Sequence, residues 1–515
     1  MQARVRPLDE VLPVIVVCLA VSLAYLLRFG YGMGFSDQDE FLPWLLARLD
    51  PGTLSTDWFV QSQAEAFNVR SGFLLILEPL ARLVGTVPAV GTLYVGSALG
   101  LITAVYFLSR QLGASPVWAS AGVLLSLVLM PRWTLGGNAA PSSMLVPSMM
   151  AWALALWAIT LLFKRRWLTA GILIGVAGWI QILVAAQVGA MALLGLLWRD
   201  RALRSGTVSF ALSALTLAAP VVLLLWQAGG GLPAESLDIL AKVRAPHHYL
   251  PSAFPAADYI QFTLLLVVGI MGLRQSRLQR SGSANRLLTG LMLGACVFVV
   301  AGMLAWIFDA PWVLSLQPFK ATVLAAALVV AGSVASLPRI SVPAWLWGVA
   351  AALLVAGWGF VANGGTVLGR PTIQVGPLDM QEAAAWVERN TPGDARIAIP
   401  PSSSGFRFAS RRAVAVTFKT FPFNAEGAAG WYQRLADWAP GVLPPEPGGV
   451  TEGGVPLLPR LDAAYEGLDA ADARRLMAGY EVDLMLRKTP FAPGDSLMDL
   501  QAIRGAFYIY RPKTR

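Results

Sequence analysis

Three carboxylates stand within five residues at Ser36-Asp37-Gln38-Asp39-Glu40, a few positions after the first long apolar stretch, Val11 to Leu27. Carboxylates so placed can act as a general base on a hydroxyl, hold an acceptor in position, or ligate a divalent cation. If 37–48 is helical, Asp37 and Glu40 share a face, because three residues make nearly one turn, and Asp39 points away. That leaves two candidates open, an Asp37 and Glu40 pair or Asp39 as a lone base. The same residues also suit a plain helix start, with Ser36 as N-cap and acids in the first turn, where the helix dipole favours them without any catalytic purpose.

A second constellation is Lys242 and Arg244 followed by Ala245-Pro246-His247-His248-Tyr249, which contains the only two histidines of the sequence. Imidazoles beside cations can bind phosphate, donate a proton or ligate a metal; the same residues also make an ordinary exposed polar loop. Arg132, Asp309 and Gln317-Pro318-Phe319-Lys320 flank apolar segments. Lys320 there can equally snorkel to lipid headgroups, and Asp309 can cap a helix or pair with it. The sequence has no Walker loop, no Gly-x-Ser-x-Gly and no His-Glu-x-x-His, which sets aside the usual nucleotide, hydrolase and zinc-protease chemistries.

The elements that must position these groups are mostly apolar. Of 515 residues 56% are hydrophobic and only 13% charged, with a mean hydropathy of +0.60, the composition of a polytopic α-helical membrane protein. Length and apolar continuity predict eleven spans, at 11–27, 88–109, 116–130, 144–162, 167–180, 182–198, 207–226, 257–273, 287–308, 313–336 and 342–361. Gln181 is the polar break between 167–180 and 182–198, so a single bent element or a re-entrant hairpin is the alternative there. Arg4 and Arg6 precede a first span read as retained rather than cleaved. Cys18 and Cys296 both sit in apolar segments, and neither a disulfide nor a cysteine metal site is expected.

Charge orients the spans. With the N-terminus in the cytoplasm, the inner segments carry fourteen basic residues against three acidic, and the outer loops up to Arg370 carry nine against eleven, the asymmetry of the positive-inside rule. An odd number of spans puts the tail from about Gly369 outside. Beyond Arg370 the tail holds sixteen residues of each sign, so the net charge of +9 belongs to the membrane part up to that residue and points to topology, not to nucleic acid. The domains expected are a transmembrane domain over 1–368, with a catalytic first outer loop at 28–87, and an extracytoplasmic α/β domain over 369–515. In the loop, 71–83 is amphipathic and suits a helix lying in the interface. In the tail, helices are predicted over 380–390, 425–438 and 460–479, and strands over 396–399, 413–418, 482–486 and 507–510, with a Pro- and Gly-rich loop at 440–459.

One amino-terminal span, a long outer loop with an acidic motif and interfacial helices, further spans and an outer α/β tail together resemble the GT-C superfamily of polyprenyl-phosphate-dependent glycosyltransferases. More narrowly, Gly34 to Pro43, Asp57-Trp58-Phe59, Arg244 to Pro251, Phe406-Arg407 and Phe418-Lys419 look like a bacterial subfamily of it. The resemblance implies a GT-C-like fold and a multi-pass protein of the bacterial inner (plasma) membrane, serving the cell envelope. It implies transfer of a sugar from a polyprenyl-phosphate-linked donor to an extracytoplasmic glycan, lipid or protein acceptor.

The catalytic carboxylate it implies falls on Asp37 or Asp39, with Glu40 beside them, as base or as a group that positions acceptor or metal. Arg244, His247, His248, Lys320, Arg132, Arg407 and Lys419 are the candidate substrate- and phosphate-binding residues, since a departing lipid phosphate gains negative charge. Some members use a divalent metal beside an Asp-x-Asp motif, which Asp37-Gln38-Asp39 matches, and others use none; Mg or Mn held by Asp37 and Asp39 is therefore left open. The Asp-Gln-Asp-Glu order departs from the Asp-Glu pair of the protein O-mannosyltransferase branch, so the choice of base stays open too. Two other classes fit the same features: a transporter or flippase of a lipid-linked or envelope substrate, and a non-catalytic envelope-assembly subunit.

Overall fold

The computed structural model describes residues 19–27, 29–129, 133–197, 201–229, 232–275, 282–337, 373–450 and 452–513, together with 346, 349 and 353. Contacts divide the chain into two compact units: Met1–Tyr31, Val90–Val222 and Pro251–Ile373 form one, and Gly32–Ala89, Leu223–Leu250 and Gln374–Arg515 the other. The expected spans 11–27 and 342–361 lie largely outside the described residues, as does Arg132.

The first unit is a bundle of apolar helices. Among the described residues four helices are long and apolar enough to cross a membrane: Thr86–Gln111, Gly206–Gln227, Gly282–Ile307 and Pro311–Ser336. Five shorter apolar helices, Pro116–Leu127, Pro147–Phe163, Trp167–Ile180, Ile182–Leu197 and Ala256–Met271, fall on other expected segments. Two extremes explain the packing. Ala321–Ser336 is apolar all round and nearly every residue is buried, the signature of a central helix. On Gly206–Gln227, by contrast, Val208, Leu212 and Leu215 are more than 60% exposed, the surface a lipid-facing helix presents. Gln181 breaks the 167–198 segment with extended backbone (φ −154°, ψ 96°), giving two helices and not one bent one. The polar residues buried in this unit include Lys320, whose Nζ lies 3.4 Å from Asn138 Oδ1, and Gln187, whose Nε2 donates to the Leu316 and Gln317 carbonyls at 2.6 and 3.0 Å.

The second unit is α/β. Strands β1 (Tyr31–Met33) and β2 (Ile373–Val375) form a two-stranded ribbon, and β3 (Arg396–Ala398), β4 (Ala413–Val414), β5 (Leu484–Arg487), β6 (Met498–Arg504) and β7 (Phe507–Pro512) form a five-stranded sheet in the order β4-β3-β5-β7-β6. β3 pairs parallel with β4 and β5, while β7 runs antiparallel to β5 and β6. Side-chain alternation along the strands feeds two cores. Ile397, Leu484, Leu486, Phe507 and Ile509 pack on one face with Ala383, Ala384 and Val387 of the Gln381–Asn390 helix. Ala398, Met485 and Tyr510 face the other way, against Trp431, Leu435 and Trp438 of Ala425–Trp438, Leu461 and Tyr465 of Leu457–Glu466, and Met477 of Ala470–Gly479. Each fully buried Leu, Ile or Phe here contributes about 1.5–3 kcal/mol. Ile239, Leu240 and Val243, from the segment before the histidines, and Tyr249, just after them, join this second core.

Three expectations for the tail need correction. The 460–479 helix is two helices, split at Gly467 and restarted by Asp469, whose side chain accepts from the Asp472 amide. The 413–418 strand stops after Val414, because Thr417 turns its carbonyl to Trp431 Nε1 (3.0 Å) and its hydroxyl to Arg407 (3.2 Å). β6 was not anticipated: it is an edge strand whose Asp499, Leu500, Ile503 and Arg504 are exposed.

Candidate active site

The acidic cluster does not open an α-helix. Ser36 has φ +57°, Ser36–Glu40 is a 3-10 turn preceded by Phe35 with no side-chain cap, and Phe41 (φ −139°) separates it from the Leu42–Leu49 helix. Ser36 is thus no N-cap. The tight turn sends the three carboxylates to three different partners, so Asp37 and Glu40, one of the two candidates, share none.

Asp37 Oδ1 accepts from Lys419 Nζ at 2.7 Å, and the Asp37 side chain stays 56% exposed. Burial pushes its carboxyl up, but Lys419 beside it, with the fields of Arg244 and His248, outweighs that and holds it down to about 2. Because more than half the side chain is open, solvent screens part of that field.

Asp39 is only 4% exposed. Its Oδ2 accepts from Ser404 Oγ at 2.6 Å and both its oxygens lie 3.0 Å from the Gly405 amide. Burial raises it to about 6, against the pull of those two hydrogen bonds and of Arg407 and Lys419.

Glu40 is buried between two guanidiniums. Arg244 donates to Oε1 at 3.0 Å and Arg70 pairs with Oε2. Arg244 also donates to the Lys419 carbonyl at 3.2 Å, lies 5.4 Å over the Phe418 ring and has a buried Nε without a partner. It closes a six-residue π-helical turn, Ile239–Arg244, a geometry frequent at functional sites. His247 and His248 follow at once, with ring centroids 4.1 Å apart. Burial first, then Arg244 and Lys419, lowers His247 against the opposing pull of Asp37, which favours its uncharged form.

Arg407 is 3% exposed and turned inward. Its Nε meets Asp57 Oδ2 at 2.7 Å, and its other nitrogens donate to Thr417, Thr420 and the Val414 carbonyl at 3.2, 3.3 and 2.9 Å. Asp57, fully buried, also accepts the Val414 amide at 2.9 Å and caps the Trp58–Ala64 helix through Val60. This arrangement uses Arg407 to tie the loop to the tail and leaves little of it for a ligand. Lys320 belongs to the helical unit described above.

A Mg or Mn ion on Asp37-Gln38-Asp39 would need both carboxylates to converge. Here Asp39 spends its oxygens on Ser404 and Gly405 while Asp37 faces an ammonium, and among the described residues no three His, Cys, Asp or Glu are grouped to hold a metal. The residues as arranged do not fit that ion. Sequence reasoning missed Ser404, Gly405 and Arg70. The run Pro400-Pro401-Ser402-Ser403-Ser404-Gly405 was the available signal, hydroxyl donors ending on a glycine, as loops that grip a carboxylate require.

A domain of unknown function, DUF6798, matches residues 378–438, the stretch that supplies Ser404, Gly405, Arg407 and Lys419. No curated protein matches the chain. Among solved structures, archaeal oligosaccharyltransferase AglB from Archaeoglobus fulgidus, in complex with an inhibitory peptide and a dolichol-phosphate, is similar at 11% identity and a TM-score of 0.46 over 94% of this chain and 70% of that one. An Archaeoglobus fulgidus oligosaccharyltransferase in complex with Zn and sulfate is similar at 12% identity and a TM-score of 0.46, over 92% and 67%.

Proposed function

We propose that this membrane protein is a glycosyltransferase that moves a sugar from a polyprenyl-phosphate-linked donor to an extracytoplasmic acceptor, with Asp37 as the base or acceptor-positioning carboxylate. The observation that carries the reading is Asp37 itself, a half-open carboxylate 2.7 Å from the Lys419 ammonium, with Arg244 and the two histidines contributing to its surroundings. Asp39 has the more base-like pKa, but access comes before basicity, and its oxygens are spent. Glu40 in this reading holds Arg70 and Arg244 and does not touch substrate.

The chemistry follows from charge. The acceptor hydroxyl gives its proton to Asp37 as its oxygen bonds the anomeric carbon. The bond from that carbon to the phosphate oxygen breaks, and its electron pair leaves with the lipid phosphate. Lys419, Arg244, His247 and His248 are the groups proposed to stabilise that growing negative charge. A carboxylate held near 2 is a weak base; a phosphate that draws Lys419 to itself removes the largest pull on Asp37 and raises its proton affinity when it is needed. The positive-inside asymmetry supports an inner-membrane protein with a cytoplasmic N-terminus and the 369–515 domain outside.

The test is release of polyprenyl phosphate from a panel of polyprenyl-phospho-sugars by the purified protein in nanodiscs. Turnover that falls at least about a hundredfold in Asp37→Asn is the expected result; no turnover of any donor, or an unaffected Asp37→Asn, sinks the reading. One observation favours a transporter instead: Lys320, Asn138 and Gln187 are buried among the helices of the first unit, where a translocation path would need polar groups. Flux of a fluorescent lipid-linked sugar across proteoliposomes without chemical conversion would support that reading.

A further inference from the structure

We infer that Ser404 is a positioning residue, and that with Asp39 it forms a latch through which the 400–405 loop of the tail fixes the place of Asp37. The inference rests on the assignment of Asp37 above and adds residues to it.

One hydroxyl does two things. Ser404 Oγ accepts the Ser36 amide and donates to Asp39 Oδ2 at 2.6 Å, so it grips the acidic turn at both ends of the tetrapeptide Ser36–Asp39 that contains Asp37. Gly405 adds its amide to Asp39 at 3.0 Å. The two backbones are in direct apposition, since Gly405 has φ +81° and a Cβ there would lie 2.5 Å from the Gly34 carbonyl oxygen. Only glycine meets both conditions.

The loop is fixed from behind. Asp462 accepts the Ser402 amide at 2.9 Å and its hydroxyl at 2.5 Å. The Pro401 carbonyl accepts the Phe418 amide at 2.8 Å, and Phe418 precedes the Lys419 that holds Asp37. The contacts therefore close a ring: Asp37 to Lys419, through Phe418 and Pro401 to Ser404, then to Asp39 and back along the turn to Asp37. Both anchors of the carboxylate are set by one loop. A residue whose work is to hold the reacting group needs hydrogen-bond reach and rigidity, not access, and that is what burial gives Asp39.

The experiment uses the full chain in nanodiscs, with Ser404→Ala, the conservative Ser404→Thr, and Asp39→Asn, which keeps an acceptor for Gly405. Polyprenyl phosphate release and amide hydrogen exchange over 34–41 are read together. Ser404→Ala should lower kcat about tenfold or more with KM within about twofold and raise exchange over 34–41. Ser404→Thr should restore most of both, and Asp39→Asn should keep kcat within about tenfold of wild type. Unchanged exchange in Ser404→Ala, or raised exchange with unchanged kcat, overturns the latch. So does an Asp39→Asn as inactive as Asp37→Asn, which would make Asp39 the base. If the wild type turns over no donor, the glycosyltransferase reading falls by itself, and the exchange of Ser404→Ala against Ser404→Thr still decides whether the latch holds the turn.

Discussion

Lys419 Nζ donates to Asp37 Oδ1 across 2.7 Å, joining residues 382 apart in sequence. The pair is 31% and 56% exposed, and an ion pair so open adds only about 0–1 kcal/mol to stability. In the proposed reading its use is chemical. Lys419→Met is expected to leave the melting temperature within a few degrees of wild type while turnover drops about a hundredfold, because the cation facing the leaving phosphate is gone. Thermal unfolding and donor turnover on the same preparation check both halves.

Asp57 and Arg407 make the opposite case. Their side chains are 0% and 3% exposed, so removing one partner leaves a buried charge. Arg407→Met should cost about 3–5 kcal/mol and appear as poor yield and early unfolding. If Arg407→Met instead folded normally and only raised the KM for donor, Arg407 would be a ligand-binding cation and not a tie between loop and tail.

Two glycines of the tail supply a matched pair. A Cβ on Gly453 would collide with the Lys242 carbonyl, while a Cβ on Gly430, inside the Ala425–Trp438 helix, meets nothing within 4 Å. Gly430→Ala should stabilise by about 0.5–1 kcal/mol. Gly453→Ala should destabilise and lower activity by pushing the Ile239–Arg244 turn, and with it Arg244 and His247, out of place. Unfolding midpoints for the two variants measure the difference.

The two aspartates give stability opposite pH dependences. Asp39 rises from an ordinary 3.8 to about 6 in the folded chain, so its protonated form favours the fold below 3.8 and that contribution is lost as pH climbs through 6. Asp37 falls from 3.8 to about 2, so its contribution is present above 3.8 and lost as pH falls toward 2. Asp39→Asn should therefore flatten the stability profile between about pH 4 and 6 and raise stability at pH 7 by up to roughly 3 kcal/mol. Chemical denaturation at intervals across that range follows it.

Composition and apolar run length made the apolar helices readable, because burial in lipid demands long apolar segments whatever their neighbours do. The Gln381–Asn390 and Ala425–Trp438 helices were equally legible from local periodicity and caps. The site was legible only in outline. Asp37 and Asp39 look interchangeable two residues apart, and what separates them is Lys419 on one side and Ser404 on the other, each more than 360 residues away. The turn geometry was equally hidden, since a left-handed Ser36 is imposed by its tertiary partner Ser404 and not by local preference. In the sequence Glu40 reads as a partner of Asp37 or as an acid beside the two aspartates, and nothing local shows that Arg70 and Arg244 take its two oxygens.

The most direct measurement is the turnover of polyprenyl-phospho-sugars by purified wild type, Asp37→Asn and Asp39→Asn side by side. The expected result is a loss of at least about a hundredfold in Asp37→Asn and less than about tenfold in Asp39→Asn. Equal activity of wild type and Asp37→Asn, or a loss confined to Asp39→Asn, would contradict the assignment of Asp37.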